Sequence, residues 1–121
     1  MVQKFTQPMQ EALQQAQAEA IRREHNELVP EHLLLALVAA EDGIVPNLLS
    51  LSGCTLPALR SRLQGLLERR PKVVGGEGQL FGSPVFNKVL VLAEDEAKKM
   101  KDEYVSGEHA LLALLSPSLK G

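Results

Sequence analysis

The sequence predicts an all-α fold made of two pseudo-symmetric helical repeats, with the second cut short. Three observations carry this. The stretch "EHLLLAL" from Glu31 returns as "EHALLAL" from Glu108, 77 positions later, with one substitution. Hydrophobic residues make up 45% of the chain but aromatics only 3%, so a core has to be assembled from Leu, Ala and Val. That composition favours closely packed helices over strands rich in aromatic and β-branched side chains. Finally, the apolar residues recur at helical intervals in both copies.

The repeat extends well beyond its most visible stretch. At the same offset, without a gap, Leu13, Ala16, Glu19 and Ala20 meet Leu90, Ala93, Glu96 and Ala97. Glu31, His32, Leu34, Leu35, Ala36 and Leu37 meet Glu108, His109, Leu111, Leu112, Ala113 and Leu114. Each copy is therefore one supersecondary unit that buries its face against the other.

The elements follow in order. The first helix opens at Thr6, a side chain suited to an N-cap, and carries Met9, Leu13, Ala16 and Ala20 as its apolar stripe. A second runs from Pro30 to about Ala40; "LLLALVAA" is apolar on all sides and predicts a helix buried all round. Val29 has no side chain to cap it, and Pro30 compensates in part by fixing the first helical φ. A short helix near Pro46–Ser52 stops at Gly53. The next, from about Thr55 to Arg69, has a stripe at Leu56, Leu59, Leu63, Leu66 and Leu67.

"RRPKVVGGEGQLFG" holds four Gly and a Pro across a change of charge and is the expected connector. The second copy then begins with Ser83 as cap and Pro84 at the first helical position, carrying Phe86, Leu90, Ala93 and Ala97. Its second helix runs from Gly107 to about Leu115, with Ser106 as cap. The organisation is one domain over 1–121: repeat one at about 5–70, a connector at about 71–82 and a partial repeat two at about 83–121. "SPSLKG" closes the sequence before a third and fourth helix of copy two, which reads as a fragment of something longer.

Composition narrows the function. The formal charge of −2 and a pI of about 5.9 argue against a nucleic-acid or anionic-membrane partner. Cys54 is alone, so no intramolecular disulfide forms; it is expected as a small buried or half-buried hydrophobe. No signal-peptide core occurs, and no apolar run approaches the roughly 20 residues that span a bilayer. The expectation is a soluble cytoplasmic domain.

The quoted residues carry a resemblance. "KFTQPMQEALQQAQAEA", "LVPEHLLLAL", "RRPKVVGGEG" and "FNKVLVLAEDEAKKMKDEYVSGEHALLAL" cover nearly the whole chain. Together they resemble the Clp amino-terminal repeat, which stands at the front of Clp-type AAA+ unfoldases and disaggregases. The family fold is all-helical, with two four-helix repeats, from which this chain departs by ending inside the second. "RPKVVGGEG" is similar to the ClpB disaggregase branch, whereas "GEH" in copy two is more like the ClpC type. The resemblance implies a substrate- or adaptor-docking module tethered to a hexameric ATPase. Hexamer contacts would lie in the ATPase domains, so the chain itself is expected to be monomeric. "GGEGQLFG" lacks the Lys-Ser/Thr of a phosphate-binding loop, so no cofactor is expected in this chain; ATP and Mg²⁺ belong to the implied full-length protein.

No catalytic residue is expected, since Ser52, Ser61 and Ser83 sit in no nucleophile motif. No metal site is expected either: H-E-x-x-H is absent, and His25, His32 and His109 have no Cys or second His at ligand spacing. Glu31 and Glu108 each suit the first turn of a helix, where a carboxylate complements the dipole and the following His packs or bonds at the helix entry. The resemblance adds roles. Thr6, Leu90, Asp102 and Glu108 match the family's substrate-contacting positions, each with a plain alternative: a cap, a core leucine, a solvated helix end and a dipole partner. Asp102→Ala and Glu108→Ala are thus expected to weaken binding while leaving thermal stability nearly unchanged. Leu35 and Leu112 are both expected in the core.

Three functions remain open. One is a ClpB-type domain engaging exposed apolar segments of unfolded or aggregated proteins, with an adaptor or a cooperating chaperone as a further partner. Another is a ClpC- or ClpA-type domain recruiting an adaptor or a phosphorylated arginine through Glu31 and Glu108. The last is a structural helical spacer.

Overall fold

A computed structural model describes residues 4–40, 43–73 and 80–116. The glycine-rich part of the connector, 74–79, and the closing stretch 117–121 lie outside them, as do 1–3 and 41–42. Six helices and two short strands follow in order: α1 Gln7–Arg22, β1 Glu27–Leu28, α2 Pro30–Ala39, α3 Ile44–Leu51, α4 Leu56–Glu68, β2 Phe81–Gly82, α5 Pro84–Lys99 and α6 Gly107–Leu114. The all-α expectation holds. The helix read near Pro46–Ser52 starts two residues earlier, at Ile44, because Gly43 takes the N-cap in extended conformation.

The repeat is visible in backbone detail. The hydroxyl of Thr6 accepts the Met9 N–H at 3.2 Å, and that of Ser83 accepts the Phe86 N–H at 3.0 Å. Both long helices have 16 residues and end on a left-handed residue, Glu24 at φ 61° and Lys101 at φ 59°. His25 then donates its backbone N–H to Ala20 O, as Asp102 does to Ala97 O, closing the C-terminal turns.

The two copies exchange their entry strands. β1 pairs in parallel with β2, Glu27 opposite Phe81 and Leu28 opposite Gly82. The equivalent bridge joins Phe5 to Val105. Each copy's leading segment is thus hydrogen-bonded into the other copy, just before its apolar helix. A helix-period sequence pattern carries no signal for such two-residue pairings.

The main core gathers Met9, Ala12, Ala16 and Ala20 of α1, Leu33 and Leu37 of α2, and Phe86, Val89, Ala93 and Ala97 of α5. Val105, Ala110, Leu111 and Ala113 complete its copy-two side. The buried stripes therefore run through Ala12 and Val89, while Leu13 and Leu90 sit half-buried on the flank, packed against the core. Gly107 opens α6 where a Cβ would stand 3.1 Å from Val45 Cγ2 and 3.3 Å from Leu37 Cδ2, so a larger residue would have to push these side chains aside by a few tenths of an ångström.

A satellite cluster joins Val29 and Leu35 to Leu63 and Leu67 of α4. One expectation fails at this point: Leu112, the copy-two counterpart of Leu35, is 40% exposed. α4 covers Leu35, and no helix among the described residues covers Leu112 in the same way. Nor is α2 buried all round, since Ala39 is exposed and Leu34 and Ala36 are half-buried. Cys54 is exposed, contrary to its reading as a buried hydrophobe, because it stands in the loop between α3 and α4.

Candidate peptide-binding surface

Three of the candidate residues, Thr6, Asp102 and Glu108, fall around the junction between α5 and α6. Lys101 in left-handed conformation turns the chain out of α5, and Asp102–Ser106 leads it into α6. Thr6 reaches this junction through the bridge: its backbone N–H donates to Val105 O at 3.0 Å, and the Val105 N–H donates to Lys4 O at 2.8 Å. Glu108 lies half-buried in the first turn of α6. Thr6 is therefore brought to the segment between Asp102 and Glu108, although it is 96 residues from Asp102 in sequence (102 − 6).

Leu90 stands apart from these anchors. From Leu90 to Lys99, the last residue of α5, is nine residues, or roughly 14 Å of helix. An extended segment would need about four or five residues at roughly 3.3 Å each to cover both. Glu31 lies in the first turn of α2, in the other copy, half-buried like Glu108.

Asp102 is more than a solvated helix end. Its Oδ2 lies 2.9 Å from Nε2 of the buried His109, whose Nδ1 takes the backbone N–H of Ser106 at 2.9 Å. Histidine performs the back-bonding task that Glu or Gln usually has three residues after an N-cap. With Nδ1 accepting, the neutral ring carries its proton on Nε2 and donates it to Asp102. That bond occupies one carboxylate oxygen, and the side chain is 46% exposed.

Copy one repeats the arrangement with one change. His32 Nδ1 accepts the Val29 N–H at 3.0 Å, and its Nε2 lies 3.0 Å from Nδ1 of His25. His25 occupies the position of Asp102. The two histidines, read as unpaired from their spacing, are in direct contact because the turn after α1 folds His25 back over the entry of α2. No group of three or more metal-ligating side chains occurs among the described residues, so this pair stands without further ligands there. Burial, then the charges of His25 and Arg70, push the His32 pKa down to about 4. Burial first, then Arg70 and Arg23, lowers that of His25 as well.

Sequence reasoning passed over Tyr104, 48% exposed in the same junction, with the Lys4 ammonium 5.8 Å from its ring centroid. It also passed over His25, which the offset of the repeat, applied to Asp102, would have singled out. A cavity of about 720 Å³ lies among α1, α2, α3 and α4, lined by Met9, Ala12, Leu35 and Ile44 with Glu19 and Arg60 also on its walls, and it reaches Pro8 and Gly107. None of Thr6, Glu31, Leu90, Asp102 or Glu108 lines it. The chemistry of the anchors, not that hollow, marks the candidate surface.

Comparison with known proteins bears on the family and the fold. The model of the Clp repeat (R) N-terminal domain matches residues 4–119. The chain is 46% identical over 115 residues to the chaperone protein ClpB of Nitratidesulfovibrio vulgaris, covering 93% of this chain and 13% of that protein. The chain thus spans about 13% of that relative's length. Among solved structures, the N-terminal domain (1–163) of the ClpV1 ATPase from E. coli superposes with a TM-score of 0.86 at 26% identity, covering 96% of this chain and 71% of that one. The Hsp104 N-terminal domain from Candida albicans gives 0.87 at 24% identity, covering 98% and 78%, a likeness of fold.

Proposed function

The chain belongs to the Clp repeat N-terminal domain family, and from that premise we propose that it is the substrate-binding amino-terminal domain of a ClpB-type disaggregase. Its task is to engage exposed apolar segments of unfolded or aggregated proteins. The observation that supports this most is the bridge between Thr6 and Val105, which sets a hydroxyl beside a junction flanked by two carboxylates.

Each anchor has capacity left for a client backbone. The Thr6 hydroxyl accepts one bond from Met9 and keeps its own proton to donate to a client carbonyl. Asp102 keeps one oxygen, and Glu108 its carboxylate, for client N–H groups or a cationic side chain. Leu90 supplies an apolar contact further along α5. Such a site reads backbone and greasiness rather than one sequence. Affinity is correspondingly weak, since ordering a flexible client offsets most of the gain. The domain itself is non-catalytic in this reading; ATP and Mg²⁺ act in the ATPase portion of the full-length protein, through which any hexamer also forms.

One feature supports the adaptor or phosphoarginine reading as a second. Glu31 and Glu108 open equivalent helices in the two copies, each in the first turn and half-buried. A carboxylate at such a place pairs with a guanidinium, whose planar fork matches it bidentately.

Fluorescence anisotropy against a labelled, permanently unfolded protein and against a phosphoarginine peptide separates the two. The proposal expects the unfolded protein to bind, and Asp102→Asn with Glu108→Gln to weaken it several-fold. Binding of the phosphopeptide alone, lost in Glu31→Gln, supports the second reading. Binding of neither leaves a spacer.

A further inference from the structure

We propose that the His25–His32 pair is an acid-sensitive latch that holds copy one to copy two, and that copy two is less sensitive because Asp102 replaces His25. The latch stands or falls independently of the client-binding surface.

In copy one every ring nitrogen of the pair is used, and the order of donors is fixed. The Val29 N–H donates to His32 Nδ1, so neutral His32 carries its proton on Nε2 and donates it to His25 Nδ1. His25 is then protonated on its other nitrogen, which bonds the Leu67 backbone. Both rings are buried, at 7% and 0% exposure. A further proton has only two places to go. On His32 Nδ1 it faces the Val29 N–H; on His25 Nδ1 it faces the His32 Nε2–H. Either way two donors point at each other within about 3 Å, in a site with little water to separate them.

The surrounding charges give the extra proton little help. α1 contributes Glu19, Arg22 and Arg23, and Glu19 is itself hydrogen-bonded to both arginines. The segment after α4 brings Arg70 and Lys72, and α4 itself brings Arg60 to the wall shared with His32. Glu27 of β1 is bound to Arg70, Glu24 is paired with Lys72, and Glu31 is the acidic neighbour on α2. Glu19, Glu24 and Glu27 are thus already engaged with cations of their own.

Copy two offers partners that copy one lacks. The Nε2–H of His109 points at the Asp102 carboxylate rather than at a second ring, and although the Ser106 N–H faces Nδ1 as the Val29 N–H does in copy one, the Ser106 hydroxyl stands 3.2 Å from that nitrogen as an additional partner able to turn from donor to acceptor. Val29, the counterpart of Ser106, has no hydroxyl to offer.

The segment between the two histidines contains β1 and the α2 cap. Breaking the latch therefore frees the bonds from Phe81 N–H to Asn26 O and from Ser83 N–H to Leu28 O, which join the copies on this side. The equivalent bonds of Thr6 and Val105 on the other side are left intact.

Amide hydrogen exchange on the 121-residue chain, corrected for intrinsic pH dependence, reads this directly. Between about pH 7 and about pH 5, protection of Val29, Phe81 and Ser83 should fall by about tenfold or more, ahead of and by more than that of Thr6, Val105 and Ser106. His25→Asp grafts the copy-two dyad into copy one and should flatten the response. Asp102→His should transfer it to Thr6 and Val105. Uniform loss at both junctions, no loss, or an unaltered response in folded His25→Asp overturns the proposal. The wild-type profile decides the matter even where a variant fails to fold.

Discussion

Leu35 and Leu112 occupy equivalent places in the two copies, yet Leu35 is 7% exposed and Leu112 is 40% exposed. α4 makes the difference: Leu63 and Leu67 close over Leu35 together with Val29. Leu35→Ala should cost about 2–5 kcal/mol, the range for truncating a buried leucine. Leu112→Ala should cost less than about 1 kcal/mol, because much of that side chain is already in water. Urea denaturation midpoints check both, and equal losses would contradict this account of the packing.

Asp102 has a structural partner, which revises the expectation that its removal spares stability. Asp102→Ala leaves the Nε2–H of buried His109 without an acceptor, a loss of about 1–3 kcal/mol. Asp102→Asn retains an amide oxygen for that bond and should lose less. Thermal melts of the two variants side by side test the ordering; a neutral Asp102→Ala would mean that the His109 bond contributes nothing.

Stability should fall on mild acidification. The pKa of His32 is about 4 in the folded chain and near 6.5 when unfolded. Between those values the unfolded state binds more protons, so unfolding becomes easier as pH drops through that window and the full contribution is present only above it. For a fully buried ring the loss amounts to something on the order of 3 kcal/mol across the window. Denaturation at about pH 7.5, 6 and 5 should give falling midpoints, ahead of carboxylate titration; a flat series would remove the histidine pair as the cause.

The helices and their caps were legible because each rests on local chemistry: Thr6 and Ser83 as caps, and stripes of Ala at consecutive turns. The offset of the repeat carried the symmetry. What escaped lies in non-local geometry. The parallel pairings of Phe5 with Val105 and Leu28 with Gly82 are at most two residues long, too short to imprint a period-two pattern. The His25–His32 contact depends on a left-handed Glu24, a conformation that nothing in "REHNE" announces. The exposure of Leu112 depends on what packs above it, not on its own helix. The candidate site was legible only through family resemblance, since no spacing along the chain relates Thr6 to Asp102.

The central claim is that clients bind across the α5–α6 junction beside Thr6. NMR titration of the isotopically labelled chain with a permanently unfolded protein tests it most directly. The account predicts shift changes centred on Thr6, Leu90, Tyr104 and Glu108, much reduced in the folded Asp102→Asn, Glu108→Gln double variant. Shifts confined to α4 or to the cavity among α1, α2, α3 and α4, or a double variant that binds as tightly as the wild type, would contradict it.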